Sequence, residues 1–141
     1  MSLRANSGSA YRETSVRTAS GGKMVLMLYD AAIRQIEIAV AHIESGTRQL
    51  DLINTAILKA QDIITELMVS LDFDKGGDIA PKLFGLYRFF NDQLMEGNLR
   101  KAAEPLQGVR SMMIELRDAW SQIVTTTNVE GRTTHSVNIA G

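Results

Sequence analysis

No cysteine occurs among the 141 residues, which excludes disulfides, thiolate catalysis and zinc-thiolate sites at once. Histidine is nearly as scarce. His42 and His135 stand far apart with no Glu-x-x-His pairing, so a bundle-core metal site lacks its ligand set. No apolar run approaches the ~20 residues that span a bilayer. No Gly-rich phosphate loop and no serine-nucleophile motif is present. The expectation is a protein that is not an enzyme, with no catalytic residue, no cofactor, no metal and no membrane insertion. No basic-then-apolar leader opens the chain, which points to a cytoplasmic protein. A net charge of -1 gives no general attraction for nucleic acid.

What is present is apolar helix-forming sequence. Hydrophobic residues make up 45% of the chain and charged ones 22%, ordinary for one globular domain of this length. The charge is uneven. Residues 1–23 carry Arg4, Arg12, Arg17 and Lys23 against Glu13 alone, whereas residues 24–124 carry ten basic and fourteen acidic side chains. A basic arm can therefore lie on an acidic body, an attraction that salt weakens. Met24 to Tyr29 are six consecutive apolar residues. Six positions point all the way round a helix, so one buried stripe cannot use them all.

Four helical stripes can be traced along the chain. Ser20 is a plausible N-cap, and the first helix runs to about Ser45 with Val25, Tyr29, Ala32, Ile36, Ala39 and Ile43 on its stripe; Gly46 supplies a stop. The second covers about Gln49 to Leu71 with Ile53, Ile57, Ala60, Ile64, Leu67 and Leu71. Asp72 to Asp78 form a polar connector in which Gly76 and Gly77 are free to take positive φ. Asp78 can cap the third helix and Pro81 fits its first turn. That helix carries Ile79, Leu83, Leu86, Tyr87, Phe90 and Leu94 and stops near Gly97-Asn98. The fourth starts around Lys101, since Pro105 is tolerated only near a beginning, and carries Leu106, Val109, Met113, Leu116, Trp120 and Ile123. Alternate three and four spacing and short connections predict an all-α, antiparallel four-helix bundle over 20–124. It is preceded by an N-terminal arm, residues 1–19, with room for a short extra helix, and followed by a flexible tail, residues 125–141.

Two local patterns invite chemistry. Asp72-Phe-Asp74-Lys-Gly76-Gly77-Asp78-Ile79 begins like a calcium loop, but its fifth position is Gly76 and its twelfth is Leu83, so two ligands are missing and the segment reads as an interhelical turn. His42-Ile-Glu-Ser-Gly46 compares with the His-x-x-Lys-Gly of histidine phosphotransfer domains, which are also four-helix bundles. Here Ser45 replaces the lysine, and His42 sits in a last helical turn, where a protonated imidazole meets the helix dipole favourably. A phosphotransfer-like signalling bundle and a self-associating bundle closing a homodimer are two alternative functions for such a helix plan.

The order of several blocks is familiar. Ala10-Tyr11, Ser15-Val16, Thr18-Ala19-Ser20 and Leu26-Met27-Leu28-Tyr29-Asp30-Ala31-Ala32 are followed by Lys59-Ala60-Gln61-Asp62-Ile63-Ile64 and Leu71 to Ala80. Then come Leu86-Tyr87, Asn98-Leu99 and Leu116-Arg117-Asp118-Ala119-Trp120. This ordered set, from about Ala10 to Ile123, resembles the FliS family of flagellin export chaperones. Pro105 and Gly108 depart from the charged helix formers more usual there. The resemblance implies a helical bundle that holds the C-terminal segment of flagellin in the cytoplasm, prevents premature polymerisation and presents it to the flagellar type III secretion apparatus. It admits an export-gate component or a flagellar regulator as further partners. It also implies that the arm can cover part of the binding surface through Tyr11 and Val16. Within the bundle the candidate partner-binding residues are those beside the central stripes: Leu26, Ile33, Ile57, Gln61, Met68, Leu86 and Tyr87. Tyr29, Ile36, Ile64 and Trp120 are expected in the core.

Overall fold

Four helices carry the chain in a computed structural model, which describes residues 21–140, with side chains described through residue 125. They are α1 (Gly21–Glu44), α2 (Leu50–Val69), α3 (Ile79–Arg100) and α4 (Ala103–Ala140). The arm, with the proposed cap Ser20, lies outside the described residues. The backbone of α4 continues helical past Thr125, where the change in composition suggested an end. The described residues divide into two compact units, Leu28–Arg117 and one that joins the first turns of α1, through Met27, with α4 from Asp118 onward. In the latter, Gly22 comes so close to α4 that a Cβ there would stand 2.6 Å from Val124 Cγ2.

The unit Leu28–Arg117 is the antiparallel bundle that the stripes predict. Arg110 pairs with Glu37 at 2.7 Å and Arg117 with Asp30 at 2.8 Å, so residue numbers fall along α1 as they rise along α4. The α2–α3 pair runs the same way: Asn98 Nδ2 donates to Asn54 Oδ1 at 2.9 Å, and Gln61 Nε2 to the Asn91 carbonyl at 3.1 Å. Ala32, Ile36, Ile57, Ile64, Phe90, Leu94, Leu106 and Met113 are among the fully buried side chains. These are the i, i+3, i+4 positions of each stripe. Two stripe ends differ. Ile79 is 61% exposed in the first turn of α3, where fewer neighbours close over it, and Ile123 is 55% exposed within α4, beside buried Val124. Trp120 is half-buried rather than enclosed.

Tyr29 on α1 and Tyr87 on α3 meet inside this apolar core. Their hydroxyls lie 2.6 Å apart and their rings pack edge-on with centroids 6.3 Å apart. A buried hydroxyl left alone costs roughly 1–3 kcal/mol, a cost that this hydrogen bond offsets. Burial, and then the hydrogen bond with Tyr29, push the Tyr87 phenol well above its ordinary range.

The connections show what the glycines do. Gly46 takes φ 68° after α1 and Gly77 φ 53° before α3, conformations that cost most residues energy. Gly76 does not share that conformation and is needed for space: a Cβ would stand 2.7 Å from the Asp72 carbonyl oxygen. Asp78 occupies the N-cap position of α3 but makes no capping hydrogen bond, contrary to the role the sequence suggested. Asp72 organises the turn instead, its Oδ1 accepting from the N–H groups of Asp74 at 3.0 Å and Lys75 at 2.9 Å. Gly97 does not stop α3 either. The helix continues to Arg100 and ends on Lys101, which takes φ 50°. Gly97 instead makes room for α4 and the turn before it, since a Cβ would lie 2.7 Å from Leu106 Cδ2 and 3.1 Å from the Ala102 carbonyl oxygen.

Two outcomes are expected from this packing. Gly97→Ala should lower the unfolding free energy by about 1–3 kcal/mol in chemical denaturation, through overpacking against buried Leu106; an unchanged midpoint would contradict the close approach. Tyr87 keeps its proton in the folded chain beyond the pH, about 10, at which an unfolded tyrosine loses it. The stability tied to it is therefore fully present below pH 10 and declines above, by about 1.4 kcal/mol per pH unit. Ultraviolet difference spectra should show tyrosinate from Tyr87 only together with loss of helical circular dichroism. Ionisation of every tyrosine near pH 10 with the helices intact would refute it.

Candidate partner-binding surface

Consecutive large apolar residues on a helix cannot both face one core. Phe89-Phe90 and Met112-Met113 show the consequence. Phe90 and Met113 are fully buried, while Phe89 is 46% and Met112 37% exposed. The two outward side chains border the same groove between α3 and α4, with a volume of about 540 Å³. From α3, Phe89, Gln93, Glu96 and Arg100 form one wall, spaced four, three and four. From α4, Pro105, Gly108, Val109 and Met112 form the other, with Glu104 at the rim. Pro105 is the third residue of α4, where a missing N–H costs nothing. A Cβ on Gly108 would meet no atom within 4 Å, so the groove floor is open there. Glu96 and Arg100 pair at 3.3 Å along α3 and do not bridge the groove.

The groove between α1 and α4 is different in kind. It has a volume of about 380 Å³ and is lined by Glu37, Val40, Ala41, Glu44, Gln107 and Arg110. Arg110 donates to Glu37, and Gln107 Nε2 donates to Glu44 Oε1 at 3.2 Å, so polar side chains cross it. The exposed ion pair contributes at most about 1 kcal/mol, but with the Gln107 hydrogen bond it fixes how the two helices meet.

The seam between α2 and α3 mixes both characters. Leu58 and Met95 are exposed beside it. Gln61 answers its own hydrogen-bond requirement within the bundle, at the Asn91 carbonyl. Thr65 Oγ1 donates to the Gln61 carbonyl at 2.9 Å and accepts from Asn91 Nδ2 at 3.3 Å. Asn91 Oδ1 is buried without a partner.

The sequence candidates are scattered over these surfaces. Tyr11 and Val16 lie outside the described residues. Ile33, Ile57 and Tyr87 are buried core, and the Tyr87 hydroxyl is engaged by Tyr29. Leu26 is half-buried in the first turns of α1. Gln61 and Met68, two turns apart and half-buried, share one flank of α2. Leu86, also half-buried, stands one turn before Phe89 on α3. No single surface brings the set together. Phe89, Gly108 and Met112 were absent from it, although the apolar doublets carried the signal.

Elsewhere the chemistry is sparse. His42 lies in the last turn of α1, with Ser45 Oγ donating to its carbonyl at 2.9 Å. Among the described residues no three His, Asp or Glu side chains are grouped to hold a metal ion. None of the described helices is long and apolar enough to cross a membrane.

Comparison with known proteins gives this surface its context. Residues 4–127 match the family model described as flagellar protein FliS. The flagellar secretion chaperone FliS of Bacillus subtilis is 29% identical over 119 residues, covering 84% of this chain and 86% of that protein. The flagellar secretion chaperone FliS of Salmonella typhimurium is 33% identical over 114 residues, covering 79% and 82%. That of Vibrio cholerae is 33% identical over 118 residues, covering 81% and 85%. These relatives are chaperones and not enzymes. On a family match over most of its length, and relatives that align along most of theirs, the chain belongs to the FliS family of flagellar secretion chaperones.

Proposed function

We propose that this chaperone binds the C-terminal segment of flagellin in the cytoplasm, prevents its premature polymerisation and presents it to the flagellar export apparatus. The observation that carries the reading is the α3–α4 groove, a cleft in which exposed Phe89 and Met112 alternate with Gln93, Glu96, Arg100 and Glu104 and which is left open at Gly108. An amphipathic client helix docks in such a groove through side chains at i, i+3 and i+4. The missing side chain at Gly108 lets the client backbone approach closely. Gln61, Met68 and Leu86 are further proposed contacts, as is Leu26 at the start of α1. Tyr11 and Val16 of the arm are proposed to occupy binding surface until the client displaces them. Ile33, Ile57 and Tyr87 act instead by holding the helices that form the grooves.

A client disordered before binding loses about 2–5 kcal/mol to ordering, so the apolar contact must be extensive. Calorimetric titration with a C-terminal peptide of a flagellin from the same organism should give 1:1 binding, and circular dichroism should show helix gained. Gly108→Phe should weaken that binding at least about tenfold, equivalent to ~1.4 kcal/mol, with the variant checked for unchanged helicity. No binding by the folded wild-type chain would end the client reading. Undiminished binding by Gly108→Phe would move the client off this groove.

A further inference from the structure

A chain without cysteine offers peroxide no thiol, and two-electron oxidation then falls on exposed thioethers. The seven methionines are not equivalent. Met113 is fully buried, whereas its neighbour Met112 is 37% exposed and borders the α3–α4 groove. Met27 and Met95 are more exposed, at 48% and 52%, but neither is among the residues lining the groove. Exposure and position together single out Met112: it is reachable, and its chemistry changes the character of the cleft.

We propose that Met112 is a peroxide-sensitive modification site whose conversion to the sulfoxide closes the α3–α4 groove to an apolar helix. The sulfur lone pair attacks one oxygen of hydrogen peroxide, the O–O bond breaks, and the departing hydroxide takes the proton of the new S–OH group and leaves as water. Sulfur is oxidised and peroxide reduced by the same electron pair. The product carries a strong S–O dipole that seeks a hydrogen-bond donor. An apolar client face offers none, so docking must either leave the sulfoxide oxygen desolvated or give up contact at this wall. The effect on docking rests on the client reading of the groove; the site of oxidation does not.

The full chain is treated with hydrogen peroxide and mapped by tandem mass spectrometry, then titrated with the flagellin C-terminal peptide before and after treatment. Met95 and Met112 should be oxidised well before Met113. Affinity for the peptide should fall about tenfold on oxidation. Taken as a ratio within each protein, that fall should vanish in Met112→Leu and persist in Met95→Leu. Circular dichroism on the treated chain separates loss of docking from loss of fold. Oxidation of Met113 as fast as Met112 in the folded chain overturns the site. Equal affinity with Met112 fully oxidised, or an undiminished fall in Met112→Leu, overturns its effect. Absence of binding before any treatment overturns the client reading and the proposed effect on docking together, while the mass-spectrometric pattern still decides the site by itself.

Discussion

A helix in a four-helix bundle buries only part of its circumference, and this chain supplies more apolar residues than the buried faces use. The arrangement of its surfaces stems from that constraint. Where two large apolar residues are adjacent, the helix turns one inward and the other outward, as with Phe90 and Phe89 or Met113 and Met112. The inward members complete the core. The outward members cannot be hidden by repacking, because turning them in would expose their neighbours. A surface rich in exposed apolar side chains is therefore coupled to the core that supports it.

Which of the seams between helices stays open is decided by charge and by side-chain size. The α1–α4 seam is crossed by Arg110–Glu37 and Arg117–Asp30, spaced seven residues apart on each helix, so that the pairs fall on one line of contact. At the α3–α4 seam the ion pair lies along one helix, and the opposing wall contains a glycine and a proline. Gly97 and Gly108 divide the work at this seam. The first lets Leu106 pack closely against α3, and the second leaves the groove floor unfilled. The same residue type thus closes one part of the interface and opens another.

Polar groups within the bundle are used sparingly, in one pair and one group of three. Tyr29 and Tyr87 satisfy one another across an apolar core, tying α1 to α3 without charge. Gln61, Thr65 and Asn91 form a small network between α2 and α3, with one buried oxygen left over. A partly satisfied network at a bundle seam restricts the ways two helices can pair, at some cost in stability.

The all-α bundle, its four helices and most core positions were legible in the sequence, because a period of 3.6 residues prints the buried face directly onto the order of residues. The missing catalytic motifs and the ordered family blocks were legible for the same reason: each is local. The site was legible only in part. Ile57 and Tyr87 stood on their helices' stripes and are buried as that placement implies, whereas Ile33 stood beside its stripe, where spacing does not say whether a neighbouring helix covers it. Gly97 read as a stop and Asp78 as a cap because both residue types have two uses, and only the packing of Leu106 and the turn built on Asp72 decide between them. Sequence alone determined which residues can be buried and how the chain divides into helices. The tertiary structure decided which flanks are covered, since the α3–α4 groove exists through side chains brought together from two helices, and no local pattern records their meeting.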